Sequence, residues 1–525
     1  MIHKITRGRP WAATALIGSA ALVAASTVTL TASASEEGAS PTSPRAKQGT
    51  VAGVMEHLIN LEEIGDDHGG RASGTPGYEA SVDYIATKLR KAGYTPRLQE
   101  FDFPFFEQLA PSTFEQTAPT PTTYVEDTDY ALMTYSGSGD VTAPVQAVDL
   151  NLGDLAGSTS GCEEADFDGF TEGNIALVRR GACAFAVKVV NAQEAGASAV
   201  IVMNTGTDGS TDAFAGTLGG PVGTVPSIGT SFAIGESLAV EGAEARVAAE
   251  TASEIRQTWN VLAETRGRKK NVVMAGAHLD SVLGGNGIND NGSGSAALLE
   301  TAEKMAKQGK PNNRVRFAWW GAEELGLLGS EHYVADLSEN RPGAFRKIAL
   351  YLNFDMVGSP NYALMVYDGD NSAFPVGPGS EAGPQGSGAI ERMFHKFFDA
   401  HGTGSDETAF SGRSDYGPFI ALNVPAGGLF TGAEGVKTEE QAAQFGGTAG
   451  EAYDECYHAP CDDLGNVNRR ALKANTAAII HAVSKYAKST RSVNGNGTGH
   501  QPPPEPAPRH AHGKAHRHAG DPVAR

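Results

Sequence analysis

The amino-acid sequence predicts an α/β fold built on a doubly wound, mostly parallel sheet, and three observations lead to this prediction. Three apolar, β-rich runs, at residues 271–277, 314–320 and 348–354, each end just before acidic or imidazole side chains. Helical patterns at residues 295–307 and about 328–337 separate these runs, so the order is β-α-β-α-β. Because ligands bind outside the carboxyl ends of parallel strands, we expect the side chains after the runs to converge on one edge of the sheet.

These side chains form a candidate site for two metal ions. The predicted ligands are His278, Asp290, Glu324, Asp355 and His458. Two divalent cations about 3.5–4 Å apart need carboxylates to offset their charge, imidazoles to bind a borderline metal and an open position for water. We therefore place His278 and Asp355 on one metal. Glu324 and His458 bind the other, and Asp290 bridges both.

Glu323 is the acidic residue that this assignment does not use. A spare carboxylate beside an activated water can accept its proton as the water attacks a carbonyl, and can then deliver that proton to the leaving amine. Each motif alone has an ordinary explanation, since residues 289–292 make a good turn and a Glu-Glu pair is common at a surface. The joint occurrence of all five segments in this order favours a catalytic site.

The segment from His278 to Cys461 closely resembles the secreted di-zinc aminopeptidases of the bacterial leucine aminopeptidase type. The matching runs are residues 287–294, 320–330, 353–360, 412–419 and 425–434. The resemblance implies that Glu323 is the general base and that the five candidate ligands bind zinc. It also implies that Tyr457 donates a hydrogen bond to the tetrahedral oxyanion and that the Asp290–Asn291 peptide bond is cis.

The resemblance extends to a candidate substrate pocket. Arg413 matches a family arginine near the bound substrate, whereas Met356 and Phe430 resemble the wall of an apolar pocket for the first side chain. Arg413 could equally be a surface residue, and the other two could be core residues. An acidic rim at Glu323 and Asp355 would attract the ammonium group of a peptide or protein N-terminus, which predicts such termini as substrates.

Four cysteines suit an oxidising compartment. Pairing Cys456 with Cys461 would close a tight loop around Tyr457, and the second disulfide would then join Cys162 to Cys183. Four cysteines allow three connectivities, but this one keeps each pair within one predicted domain. The spacings do not match a zinc-thiolate finger.

Composition and the N-terminus predict a secreted protein. Residues 1–34 combine early basic residues, an apolar run and small residues, as in a signal peptide; a membrane anchor is the alternative. The net charge of −20 argues against nucleic acid and anionic membranes as partners. We therefore expect an extracellular monomer without stable membrane association after the signal peptide is cleaved.

The remaining chain divides into a peptidase and an insert. Residues 35–49 read as a linker or pro-segment, and residues 50–130 and 256–489 as the two parts of the peptidase. Residues 131–255 have short Val- and Ala-rich strands and resemble the β-rich protease-associated (PA) domain, acting as a lid, a docking surface or a neutral spacer. Residues 490–525, rich in Pro and His, are expected to be disordered.

The predicted function is zinc-dependent removal of apolar N-terminal residues. Two zinc ions per chain are expected; calcium could also bind, although no motif identifies its site. Alternatives within the same fold family are a carboxypeptidase, which needs a basic cluster for the substrate carboxylate, and a single-zinc glutaminyl cyclase. A non-catalytic peptide-binding ectodomain would lack metal ligands, and none is missing here.

Overall fold

The computed structural model describes residues 51–153 and 157–500. The predicted signal peptide, the linker at 35–49 and the tail beyond residue 500 lie outside the described residues. The helices are α1 Val51–His68, α2 Pro76–Lys91, α3 Phe185–Glu194, α4 Phe232–Leu238, α5 Gly294–Lys307, α6 Leu328–Ala335, α7 Pro342–Phe345, α8 Ser387–Ala400, α9 Gly417–Ala421, α10 Glu439–Phe445, α11 Arg469–Lys488 and α12 Arg491–Asn494.

The strands are numbered in chain order. They are β1 Arg97–Ala118, β2 Thr122–Thr123, β3 Tyr130–Leu132, β4 Gly139–Ala147, β5 Ile175–Arg179, β6 Ala199–Met203, β7 Ser227–Thr230, β8 Glu244–Glu264, β9 Arg268–His278, β10 Asn313–Trp320, β11 Ile348–Phe354, β12 Met365–Tyr367, β13 Asp406–Thr408 and β14 Ala426–Phe430.

The peptidase sheet has the order β13-β12-β14-β11-β9-β10-β8. Strands β14, β11, β9 and β10 are parallel to one another, whereas β8 runs antiparallel to β10 and β12 antiparallel to β14. Trp320 pairs with His278, so β9 and β10 end side by side. The predicted mostly parallel sheet is confirmed, with antiparallel pairs near its margins.

Helices cover both faces of this sheet, as the doubly wound prediction requires. One face packs against α1, α2, α5, α8 and α11, and the other packs against α6, α7 and α9. Successive side chains of a strand point to opposite faces. Trp319 accordingly joins the first core and Trp320 the second, and both are fully buried. Burial on both faces explains why the strands read as continuous apolar runs.

The insert is joined to the peptidase by a long two-stranded ribbon. β1 and β8 pair antiparallel along nearly their whole lengths, from Arg97↔Leu262 to Ala118↔Glu244. β4 pairs with the distal part of β8, and the parallel strands β4, β5, β6 and β7 follow, with β3 antiparallel at the edge. The predicted boundary at residue 255 falls inside β8, which is continuous from the insert into the peptidase.

The predicted disorder of residues 490–525 is wrong for the portion that the structure describes. α12 lies within residues 490–500, and Asn494 Nδ2 donates to the Ala349 carbonyl at 3.0 Å. The backbone N–H of His500 donates to the Ile348 carbonyl at 2.8 Å, and its ring packs edge-on against Phe345. The low hydrophobicity of residues 490–525 predicted disorder, but these contacts with β11 depend on tertiary structure and cannot be read from composition. In the part of the chain that is described, no helix is long and apolar enough to cross a membrane.

Candidate metal centre

Two predicted ligands lie at the ends of neighbouring parallel strands. His278 is the last residue of β9, and Asp355 directly follows β11. The strands pair in parallel, so the side chains meet: His278 Nε2 lies 3.2 Å from Asp355 Oδ1. Both side chains are buried, at 1% and 9% exposure.

Asp290 lies between two groups of ligands. It belongs to an irregular turn, Ile288–Ser293, that leads into α5, and its peptide bond with Asn291 is cis, as expected. Asp290 Oδ1 is 3.2 Å from His278 Nε2, and Oδ2 is 3.3 Å from His458 Nε2. One carboxylate therefore faces both imidazoles, which is the geometry of a bridging ligand.

The adjacent glutamates after β10 occupy different positions. Glu324 Oε2 lies 2.9 Å from His458 Nε2, so Glu324, His458 and Asp290 form one triad of potential ligand atoms. His278, Asp290 and Asp355 form the other. Glu323 Oε2 is 3.9 Å from His278 Nε2, and Glu323 belongs to neither triad. The structure thus brings all five predicted ligands together and leaves Glu323 beside them.

The electrostatics of this cluster favour cations. Burial and the nearby Asp290 carboxylate together raise the pKa of Glu324 to about 7. Burial also raises the pKa of Glu323 well above its usual range, with Asp355 adding to the effect. Burial would lower the pKa of His278, but Glu323 and Asp355 overcome it and the net shift is upward. Four carboxylates repel one another in this confined space unless positive charge lies between them.

The residues present fit zinc. Imidazole nitrogens and carboxylate oxygens are its ordinary ligands outside cysteine-rich sites. Glu324 Oε1 is buried and has no hydrogen-bond partner among the described residues, so an oxygen in the cluster is left for an ion. The two triads share one carboxylate and hold one imidazole each, and each triad provides three ligand atoms within 4.8 Å of one another. The donor set can therefore hold two divalent cations.

Sequence reasoning missed the acidic residues behind the ligands. The Asp280 carbonyl oxygen is 3.1 Å from His278 Nδ1, and the Asp280 carboxylate accepts the backbone N–H of Glu323 at 3.3 Å. Asp462 accepts the backbone N–H groups of residues 289 and 290 at 2.8 and 2.9 Å. Residues that hydrogen-bond to a metal ligand, or to the loop that carries it, fix the orientation of that ligand. Their positions in the sequence could have identified them, because Asp280 is two residues after His278 and Asp462 directly follows Cys461.

Sequence reasoning also gave no role to Arg71, and the structure places its side chain against the loops of the candidate metal centre. Its buried guanidinium donates to three backbone carbonyls of the metal-binding loops, those of Leu279, Asn286 and Gly287. The distances to the Asn286 and Gly287 oxygens are 2.7 and 2.6 Å. This side chain therefore ties the segment after His278 to the turn that carries Asp290.

The loop carrying Tyr457 and His458 is closed by the predicted disulfide. Cys456 and Cys461 are bonded, five positions apart, and the Tyr457 ring stacks on His458 with centroids 3.8 Å apart. The Tyr457 hydroxyl accepts a hydrogen bond from Arg413 Nη2 at 3.3 Å. The other predicted disulfide, Cys162–Cys183, is also formed and lies in the insert.

The three predicted substrate-binding residues line one cavity with the ligands. This cavity has a volume of about 470 Å³, and its walls include Met356, Phe430 and Arg413. Arg413 Nη1 also pairs with Glu434 Oε1 at 2.6 Å, so its charge is offset within the cavity wall. Further apolar walls come from Met365, Tyr367, Phe374 and Tyr453.

Comparisons with known proteins agree with this geometry. Residues 260–483 match the model of peptidase family M28, and residues 141–238 match the PA domain. An aminopeptidase of Pseudomonas aeruginosa is 46% identical over 459 residues, covering 86% of this chain and 83% of the relative. Leucine aminopeptidase 2 of Trichophyton rubrum is 42% identical, with coverages of 83% and 84%.

Solved structures show the same fold. An aminopeptidase from Aneurinibacillus sp. strain AM-1 superimposes with a TM-score of 0.57 at 28% identity, covering 84% of this chain and 94% of that one. A zinc aminopeptidase from Bacillus subtilis gives a TM-score of 0.54 at 24% identity, with coverages of 86% and 98%. The chain therefore belongs to peptidase family M28, among its zinc aminopeptidases, and carries a PA domain as an insert.

Proposed function

We propose that this protein is an extracellular aminopeptidase that uses two zinc ions to remove apolar residues from peptide N-termini. One observation carries the proposal: two ligand triads share Asp290, while Glu323 stands beside them without belonging to either. A two-metal hydrolase needs both a bridging carboxylate and a base that is not consumed by coordination. Zinc supplies the Lewis acidity that activates water and polarises the substrate carbonyl.

The residues of the chain then perform the proton transfers. Glu323 accepts a proton from the attacking water and delivers it to the nitrogen of the leaving amine, so the C–N bond breaks as a neutral amine departs. The Tyr457 hydroxyl donates a hydrogen bond to the oxyanion of the tetrahedral intermediate. Burial raises the pKa of Tyr457 above its usual range, which keeps this hydroxyl protonated and able to donate.

The charge and shape of the cavity support N-terminal specificity. A free ammonium group is attracted to the carboxylates of Glu323 and Asp355, whereas an acetylated terminus has no such charge. The apolar walls around Met356 and Phe430 favour an apolar first side chain, which agrees with relatives called leucine aminopeptidase. A carboxypeptidase is disfavoured, because the Arg413 cation is already paired with Glu434.

Secretion is supported by the signal-peptide pattern at residues 1–34 and by the two disulfides. The testing experiment is a panel of aminoacyl chromogenic substrates, each free or N-acetylated, assayed with and without a chelator. We expect hydrolysis of free leucyl and phenylalanyl substrates, loss of activity with the chelator, and recovery on adding zinc. Hydrolysis of acetylated substrates at equal rates would refute the proposal.

A further inference from the structure

A second cavity, of about 810 Å³, lies at the amino-terminal end of strand β10, whereas the metal centre lies beyond the carboxyl end of that strand. Its walls come from the first residues of β10, the turn after β8, and the segment that joins α2 to β1. Strand β10 runs from Arg314 in this cavity to Trp320 beside the metal-binding edge. Six residue steps of a strand span roughly 20 Å, so the cavity is a separate site.

The charge of this cavity is opposite to that of the chain. Six cationic side chains line it: Arg97, Arg266, Lys310, Arg314, Arg316 and Arg341. Among the described lining residues, Glu264 carries the only carboxylate. The whole chain has 61 acidic and 41 basic residues, so an even distribution would place more carboxylates than cations in the lining. The cavity is a local concentration of positive charge.

Protein groups do not neutralise this charge fully. Each carboxylate oxygen of Glu264 already accepts a hydrogen bond from an arginine. Oε2 accepts from Arg314, and Oε1 accepts from Arg316 Nε at 2.6 Å. Arg341 pairs with Asp336 at the rim. Arg97, Arg266 and Lys310 are exposed, and within the described residues none of them has a carboxylate at ion-pair distance.

One donor inside the cavity wall also lacks a partner. Arg314 Nε is buried and makes no hydrogen bond to the described residues. A buried N–H of a charged group that lacks an acceptor shows that protein groups satisfy the Arg314 guanidinium only in part. The partly satisfied Arg314 and the three unpaired cations therefore favour an anionic ligand.

Part of the lining is apolar. Tyr94, Leu262, Met305 and Leu337 contribute to the walls. A cavity of this volume is in the range that holds small organic ligands. We infer that it binds an organic anion that carries at least two negatively charged groups on an apolar body. A long polyanion is disfavoured because the surrounding surface of this chain, with a net charge of −20, would repel it.

The test uses isothermal titration of naphthalene-1,5-disulfonate into the zinc-loaded full-length enzyme. This probe has two charges on an apolar body, and sulfonates are weak zinc ligands. The test variant combines Arg97→Ser, Arg266→Ser and Lys310→Ser, which removes the three unpaired cations. The control combines Lys396→Ser, Arg470→Ser and Lys473→Ser, which removes equal charge from exposed positions outside the cavity.

We expect one saturable site in the wild-type enzyme, an affinity about tenfold lower in the test variant, and a change within about twofold in the control. Raising the salt concentration should weaken binding. Absence of saturable binding, or equal weakening in both variants, would overturn the inference. Competitive inhibition of peptide hydrolysis by the probe would also overturn it, because the probe would then occupy the metal centre.

A second arm titrates inorganic sulfate. If sulfate binds as tightly as the disulfonate, the apolar walls contribute nothing and the inferred ligand class is wrong. Markedly weaker sulfate binding supports an organic ligand. Neither result depends on the aminopeptidase proposal, because the titration measures binding rather than turnover.

Discussion

Glu323 and Glu324 are adjacent, yet the structure gives them separable roles that substitution can test. Glu324 Oε2 is 2.9 Å from His458 Nε2, and Oε1 is buried with no partner in the part of the chain that the structure describes, so both oxygens are available to one ion. Glu323 Oε2 is 3.9 Å from His278 Nε2 and outside both triads. Replacing each glutamate by glutamine preserves size and removes the charge.

The expected effects differ in kind. Glu323→Gln should lower kcat by about 10²–10⁴-fold, the usual contribution of a positioned base, with KM and zinc content nearly unchanged. That range corresponds to about 2.7–5.4 kcal/mol of lost transition-state stabilisation. Glu324→Gln should lose one zinc ion. Outer partners of a ligand already contribute about 10–100-fold to metal affinity, so removing a direct ligand should cost at least that much.

The assay measures zinc per chain by mass spectrometry after dialysis, together with kcat and KM on a leucyl chromogenic substrate. Glu331→Gln is the matched control, because Glu331 lies on α6 outside both triads and should keep both ions and full turnover. The role assignment would be reversed if Glu323→Gln lost zinc while Glu324→Gln retained two ions. A Glu323→Gln enzyme with more than about a tenth of the wild-type kcat would rule out the base role.

Three further predictions concern stability and positioning. Replacing Cys456 and Cys461 by Ser should mainly lower kcat/KM, with a small effect on Tm. Replacing Cys162 and Cys183 by Ser should mainly lower Tm, with a small effect on kcat/KM. The loops close over 5 and 21 residues respectively, and the longer loop restricts the unfolded chain more; equal Tm losses would contradict this. Arg71→Lys should lower the free energy of unfolding by about 2–4 kcal/mol, because an ammonium group cannot keep all three planar donor bonds, while the exposed Arg392→Lys should not; chemical denaturation measures both. Burial, with the charge of Lys88, lowers the pKa of His57 to about 4. As the pH falls from about 6.5 to about 4, the His57 imidazole becomes protonated in the unfolded chain but stays neutral in the folded protein, so the free energy of unfolding decreases by about 3 kcal/mol over that window. His57→Leu should remove this part of the pH dependence. An unchanged slope of the free energy of unfolding against pH would refute the prediction.

The sequence was sufficient to predict the strands that end at the metal centre. Residues 348–354 form β11 as expected, and the helix predicted at 295–307 begins one residue earlier in the structure. These elements are specified by short-range patterns. Strands that are buried on both faces appear as continuous apolar runs, and helices appear as apolar residues that recur every 3.6 positions. The rule that parallel strands end at one edge then brought His278 and Asp355 together.

Long-range contacts were beyond such reasoning. Asp462 holds a backbone group that is 172 residues away, and Arg71 holds carbonyls more than 200 residues away. No local period marks a residue whose role depends on a partner that is brought near only by folding. The same limit applies to the boundary predicted at residue 255, which falls inside β8. Composition changes near that position, but backbone pairing of β8 with β1 continues through it.

The arrangement of supporting groups also indicates how the loops of the metal centre are held. His278 ends strand β9 and Asp355 directly follows β11, whereas Glu324, Asp290 and His458 lie outside strands, in segments that are intrinsically more mobile. Of these three, the loops of Asp290 and His458 are the farthest along the chain from any strand of the sheet. Both loops are restrained by the protein itself. Asp462 and Arg71 hold the backbone around Asp290, and the disulfide closes the loop of His458. Asp462 directly follows Cys461, so a single short segment restrains the loops of both Asp290 and His458. Ligands positioned by protein contacts pay little ordering cost when an ion binds, and the site should therefore gain zinc affinity from the fold rather than depend on zinc to form it.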